Sequence, residues 1–179
     1  PVQAPFKLTA KGGITFGTDP EMARAVARIV RSNTDKPVIV KLSPNVTSVV
    51  EIAQAVEDGG ADIISLINTL LGMAIDVDKM KPVIHNVVAG YSGPPVKPVA
   101  LRMVYEVYKA VKVPLIGMGG IMNTRDALEF IMAGASAISV GTGNFVDPLI
   151  PVEIIEGLDA YVKEKGLASY RELIGIAHR

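Results

Sequence analysis

Three kinds of residue in this chain could do chemistry together: glycines that bare backbone amides, a lysine set in an apolar strand, and an amide–hydroxyl pair at a strand end. The glycines fall in two clusters, Leu115-Ile116-Gly117-Met118-Gly119-Gly120 and Ile138-Ser139-Val140-Gly141-Thr142-Gly143. In each, a short apolar run stops at glycines, so N–H groups are offered where a strand passes into a loop. A parallel barrel builds its usual phosphate site from the loops after its last two strands, helped by a helix N-terminus. One cluster alone reads more readily as a turn that tolerates positive φ. The pair, ending the last two strand-like runs before a C-terminal helix, predicts a phosphate cradle.

Lys41 interrupts the apolar run Val38 to Leu42. An unpaired buried ammonium is costly, so this lysine either meets a carboxylate or faces a ligand. Asn68-Thr69 follows the next strand and offers an amide and a hydroxyl that could read the hydrogen-bonding edge of a planar polar ligand, or simply make a turn. The segment from Leu70 to Lys97 is long for a strand-to-helix connection, and such loops tend to be functional. It holds Tyr91-Ser92-Gly93-Pro94-Pro95, a rigid turn able to set one backbone N–H against a ligand.

The elements that must position these residues alternate between strand and amphipathic helix. Thr18-Asp19-Pro20-Glu21 reads as a helix start with a capping hydroxyl, and Met22, Val26, Ile29 and Val30 then repeat at helical spacing until Pro37. A strand over Val38 to Leu42 precedes a helix that Ser48 and Glu51 open and Asp58-Gly59-Gly60 closes. Strands are then expected over 62–67, 113–117 and 137–140, and helices from Pro98, over 124–133, over 152–165 and over 169–177. Gly60-Ala61-Asp62-Ile63-Ile64-Ser65 resembles Gly134-Ala135-Ser136-Ala137-Ile138-Ser139, as successive βα units would. Apolar strands each followed by a helix mean a parallel sheet. The repeat favours a TIM (β/α)8 barrel, of which about four βα units, half a barrel, are present. A half barrel leaves strand edges around Val38 to Leu42 and Ala137 to Val140 that invite pairing with another chain.

With 179 residues, 49% of them hydrophobic, the chain can bury one substantial core, so residues 1–179 read as one domain. Eighteen basic and eighteen acidic side chains balance, leaving no basic footprint for nucleic acid and no polybasic membrane patch. A small neutral or anionic ligand fits better. The absence of cysteine excludes disulfides, thiolate metal sites and a cysteine nucleophile within these residues. Mean hydropathy is +0.37, yet no apolar run reaches the roughly 18 residues of a membrane span and no signal-peptide pattern opens the chain. A cytoplasmic location is expected. The chain begins at Pro1 rather than Met, which reads as a processed, excised or incompletely recorded product. His85 and His178 have no partners at ligand spacing, so no metal is expected. Tyr105 and Tyr108 read as packing residues on a helix, and Asp76, Asp78, Lys79 and Lys81 as a solvated loop surface.

Five ordered motifs carry a family resemblance: Val40-Lys41-Leu42-Ser43-Pro44-Asn45; Ile67-Asn68-Thr69-Leu70; Ser92-Gly93-Pro94 with Lys97-Pro98-Val99-Ala100-Leu101-Arg102; Ile116-Gly117-Met118-Gly119-Gly120-Ile121; and Val140-Gly141-Thr142. From about Gly12 to about Gly157 the chain resembles the second half of a class 1 dihydroorotate dehydrogenase. Its Asn-Thr pair is similar to the NAD-linked 1B subclass, whose catalytic subunit works with an iron–sulfur flavoprotein. The resemblance implies an FMN-binding barrel that oxidises dihydroorotate to orotate in pyrimidine biosynthesis. It implies a homodimer, with FAD and a 2Fe-2S cluster only on the partner subunit and NAD as the final acceptor. Position by position, Lys41 matches the lysine beside the flavin ring, where a fixed cation favours negative charge on the ring. Ile67 and Gly93 match backbone contacts to FMN. Gly119, Gly120, Gly141 and Thr142 match its phosphate cradle, and Asn68 and Thr69 match the orotate-binding pair.

The departures concern the other end. Family members carry four further strands before this point, and an Asn-x-Ser-Cys-Pro-Asn-Val-Lys run shortly before the glycines seen here as Gly12-Gly13. Ungapped counting places its asparagine at Gln3 and its cysteine base at Phe6, which cannot take a proton. Residues 1–10 are therefore atypical, and no catalytic residue carries over. A non-catalytic FMN- or phosphate-binding half barrel is the second reading. A different phosphate-binding barrel, such as a flavin-dependent oxidase, is a third, against which Asn68-Thr69 argues.

Overall fold

The apolar runs bounded by glycine and proline become the strands of one parallel sheet. The computed structural model describes residues 14–179; the counted base position, Phe6, lies outside them. In chain order the elements are α1 (Ile14–Thr18), α2 (Pro20–Ser32), β1 (Ile39–Leu42), α3 (Val49–Asp58), β2 (Ile63–Leu66), β3 (Leu70–Gly72), β4 (Ile75–Asp76), β5 (Lys81–Pro82), β6 (Ala89–Tyr91), α4 (Lys97–Tyr108), β7 (Leu115–Met118), α5 (Thr124–Met132), β8 (Ala135–Ser139), α6 (Gly143–Val146) and α7 (Ile150–Glu164). The main sheet runs β1-β2-β7-β8. All its pairings are parallel, with Lys41 beside Ser65, Ser65 beside Ile116, and Ile116 beside Ala137.

Local chemistry sets the helix starts. The Ser48 side chain accepts the Glu51 N–H at 3.3 Å, as the capping spacing predicts. At α2 the cap is Asp19, which accepts the Met22 N–H at 3.0 Å, rather than the expected Thr18 hydroxyl. A carboxylate at that position satisfies an orphan donor and also complements the positive end of the helix. The expected apolar stripe of α2 is likewise not its buried face. Ala23 and Ala27 pack inward, while Val26, Ile29 and Val30 stay exposed, with Ile29 63% accessible. Small residues let α2 lie close against α3, where a side chain on Gly59 would strike Ala27 Cβ at 2.7 Å.

Helices cover one face of the sheet. Ile64, Leu66, Leu115, Val56, Val104, Val107 and Phe130 are wholly buried there, each contributing roughly 1.5–3 kcal/mol by leaving water. Gly117, inside the first glycine cluster, belongs to this core: a Cβ there would meet Phe130 Cδ1 at 2.7 Å. The opposite face carries Ile39, Lys41, Ser65, Ile116, Met118, Ala137 and Ser139, and these line a cavity. One covered and one concave face is the curvature of a barrel wall. Apolar side chains beside both edge strands are exposed, Ile39 at β1 and Phe145, Val146, Leu149, Val152 and Ile155 after β8.

The long connection after β2 has its own structure. β3 pairs antiparallel with β6, and β4 with β5, so the segment read as a loop is a pair of nested ribbons. Asp76, expected to be plain solvated surface, caps the inner turn: it accepts the Lys79 N–H at 3.0 Å and pairs with Lys79 Nζ at 2.7 Å, and the Lys79 hydrogen bonds hold its carboxyl below the usual range. The stretch expected as a helix over 169–177 is two short 3₁₀ turns, Tyr170–Leu173 and Ile176–His178. There His178 stacks on Tyr105 at 3.8 Å with its Nε2 2.9 Å from the Ala133 carbonyl, and Tyr108 lies against Gly134 and Gly175. Both tyrosines are packing residues, as read.

Candidate functional site

The cavity lies at the C-terminal ends of the parallel strands, where a parallel barrel places its binding groups. It measures about 760 Å³, within the range of roughly 300–1,000 Å³ typical of small-molecule sites. The residues read from the sequence as cofactor- and substrate-binding line it: Lys41 on β1, Ile67, Asn68 and Thr69 after β2, Gly93 before α4, Gly119 and Gly120 after β7, and Gly141 and Thr142 after β8. Ile116, Met118 and Ile121 add apolar wall between the polar groups.

The two glycine loops form one end. Gly119 and Gly120 have φ of 128° and 76°, a region in which L side chains are strained. A Cβ on Gly119 would also meet Ala100 Cβ at 2.8 Å, and one on Gly120 would meet the Lys97 N at 2.9 Å and the Gly93 carbonyl at 3.0 Å. These glycines let the loop lie directly on the start of α4. Gly141 differs, because a Cβ there meets nothing within 4 Å. None of the Gly119, Gly120, Gly141 and Thr142 N–H groups donates in the turn, loop and cap hydrogen bonds of the described residues. Thr142 Oγ1 lies 2.9 Å from Ser92 Oγ, which ties the second glycine loop to the turn before α4.

The other end is built at β1 and β2. Lys41 enters none of the ion pairs found among the described residues, so the carboxylate partner that would have made it structural is not there, and it faces the cavity. The peptide joining Leu66 and Ile67 is cis. Asn68 and Thr69 follow, both exposed to the cavity mouth. Their backbone is fixed by Asn45, whose Nδ2 donates to the Thr69 carbonyl at 3.0 Å and whose Oδ1 accepts the Leu71 N–H at 3.0 Å. One primary amide thereby replaces a missing strand neighbour on both of its hydrogen-bonding sides. The sequence reading missed Asn45 as a functional residue, although it stands in the motif that carries Lys41.

A second unread group braces the glycine end. Lys97 Nζ lies 2.7 Å from Asp126 Oδ1 and 2.8 Å from Glu129 Oε2, and Asp126 Oδ2 accepts the Met122 N–H at 2.9 Å. The hydrogen bond to Asp126 first, and that to Glu129 second, holds the Lys97 ammonium above its ordinary range. Among the described residues no helix is long and apolar enough to cross a membrane.

A half-open parallel α/β wall with a polar-rimmed cavity at its strand ends defines part of a TIM barrel. The Eimeria tenella DHODH solved in complex with ferulenol superimposes on it with a TM-score of 0.78 at 24% identity, over 94% of this chain and 51% of that one. The family model described as dihydroorotate dehydrogenase matches residues 8–162, and this chain belongs to that family. The "Dihydroorotate dehydrogenase B (NAD(+)), catalytic subunit" of Desulforamulus reducens is 61% identical over 168 residues, 94% of this chain and 55% of the relative. Its namesake in Geotalea uraniireducens is 59% identical over 165 residues, 92% of this chain and 54% of the relative. The chain thus spans about half the length of the curated relatives it matches.

Proposed function

We propose that this chain is the C-terminal half of the barrel of an NAD-linked dihydroorotate dehydrogenase catalytic subunit, and that its cavity binds FMN and the substrate that FMN oxidises. The supporting observation is that one cavity gathers a cation with no ion-pair partner and two glycine loops whose amides have no turn partner, both among the described residues, together with a polar amide–hydroxyl pair, separated by apolar wall. Those groups suit the parts of FMN in turn. Gly119, Gly120, Gly141 and Thr142 would hold its phosphate, Ile67 and Gly93 its ring system, and Lys41 would place positive charge beside the ring. The open space off Gly141 Cα is room that a phosphate could fill.

FMN supplies a hydride acceptor when bound. The chain's own residues orient and anchor. Asn68 and Thr69 offer a donor–acceptor pair to the pyrimidine edge, and Asn45 keeps that pair at one height above β2. Lys41 would set positive charge beside the ring, where negative charge develops on hydride transfer. None of the described residues is assigned the task of taking the substrate proton. By the same reading the electrons leave to a partner subunit carrying FAD and a 2Fe-2S cluster, then to NAD, and the catalytic subunits pair as a homodimer in the cytoplasm.

The test is chemical. The intact protein should be isolated yellow, release FMN on acid treatment, and bleach when dihydroorotate is added without oxygen. A protein that binds no flavin, or whose flavin stays oxidised under excess dihydroorotate, would refute the reading.

A further inference from the structure

The group formed by Lys97, Asp126 and Glu129 lies apart from the residues assigned to ligand, yet it touches the loop those residues occupy. Lys97 opens α4, and its backbone N lies 2.9 Å from the position a Gly120 Cβ would take. Its ammonium spans to α5, meeting Asp126 and Glu129 at 2.7 and 2.8 Å. Asp126 is 8% exposed. Both of its oxygens are engaged, one by Lys97 and one by the Met122 N–H, and its own N–H donates to Asn123 Oδ1 at 3.0 Å. A continuous path of hydrogen bonds therefore runs from the start of α4, through α5, into the loop that continues from Gly119 and Gly120.

Charge makes this more than a brace. Two carboxylates and one ammonium sum to one negative charge beside a loop whose amides would face a phosphate. With the ammonium gone, two negative charges would stand beside the phosphate loop, that of Asp126 from a buried position where screening by water is weak and that of Glu129 from a more exposed one. We propose that Lys97 is a positioning residue for the phosphate subsite: it neutralises Asp126 and Glu129 and keeps Asp126 on the Met122 N–H, so that the Gly119–Met122 loop can accept an anion. The proposal rests on the assignment of that loop to the FMN phosphate.

A merely structural Lys97 and an electrostatic one differ in how they treat a flavin without phosphate. In the intact apoprotein, FMN and riboflavin affinities are measured by quenching of flavin fluorescence. Lys97→Met, which leaves the Asp126 and Glu129 carboxylates uncompensated beside the loop, should weaken FMN by about tenfold while riboflavin binding changes little. Lys97→Arg, which keeps the charge, should restore much of the FMN affinity. Glu129→Gln, at a half-exposed position with Lys97 and Asp126 in place, should tighten FMN and leave riboflavin alone. It carries the test by itself if Lys97→Met does not fold. Equal losses of FMN and riboflavin in Lys97→Met, or an unchanged FMN affinity in Glu129→Gln, would overturn the proposal alone. A wild-type protein with no preference for FMN over riboflavin would overturn the phosphate assignment, and this proposal with it.

Discussion

The two ends of the cavity are built on opposite plans. The glycine end is crowded: Gly119 and Gly120 lie in backbone conformations a side chain would strain, pressed on Ala100 and Lys97, and an ion triad ties their loop to two helices. At the β1–β2 end the groups stand open. Lys41, Asn68 and Thr69 are exposed, and Asn45 ties the backbone at Thr69 and Leu71. The difference teaches that anchoring and recognition are separable here. On the proposed function, the crowded end would suit an anion held permanently, and the open end a ligand that must come and go.

That contrast can be broken most severely at Gly120. Gly120→Val forces a branched side chain onto the Lys97 and Gly93 backbones at positive φ, so it should cost both flavin and stability. Gel filtration followed by a flavin spectrum and a thermal melt would show both losses. A variant that keeps full flavin and an unchanged melting temperature would deny that this end is crowded. A smaller and cleaner effect is expected at the open end. Asn68→Ala should weaken orotate by about tenfold, in line with roughly 1–3 kcal/mol for a polar partner left unmatched, with flavin retained. Titration of the flavin spectrum with orotate measures it.

Smaller again is the effect of removing the Asn68–Thr69 support. Asn45→Ala should lower orotate affinity a few-fold without touching the ligand, because the Thr69 carbonyl and Leu71 N–H can turn to water at an exposed site. Asn45→Asp, which keeps the acceptor but not the donor, should fall between. The smallest effect is on pH. Lys97 is held above its ordinary value of 10.5, so its contacts with Asp126 and Glu129 are complete below that value and are lost only as pH climbs through the raised one. Flavin retention, followed by fluorescence, should therefore be flat from neutral pH into the mildly alkaline range and fall only above about pH 10.5. A fall near neutrality would show that another group controls the crowded end.

Much of this was legible in the residues because local anomalies mark the site. A lysine in an apolar strand, glycines ending two strands, and an Asn-Thr pair after a third stand out against their neighbours, and all of them line the cavity. The supports were not legible. Lys97 and Asp126 are 29 residues apart on different helices, and nothing in their spacing links them. The inner ribbon at β4 and β5 pairs only Ile75 with Pro82 and Asp76 with Lys81, too short to leave an alternating pattern. In α2 the more apolar stripe misled, since Ala23 and Ala27 are buried and Ile29 is not. Hydrophobicity names the face that could be covered, and close packing on α3 selects the small residues instead.

The central claim, that one cavity holds FMN by its phosphate at the glycine end and a pyrimidine at the Asn68–Thr69 end, is tested most directly by a pair of variants. Gly141 is the place to probe the cradle, because its Cβ would enter open space and disturb no packing. Flavin content and orotate titration are measured side by side on intact Gly141→Val and Asn68→Ala proteins. The account predicts that Gly141→Val loses FMN while remaining folded, and that Asn68→Ala keeps FMN but loses orotate affinity. Full flavin in Gly141→Val, or unchanged orotate binding in Asn68→Ala, would contradict it.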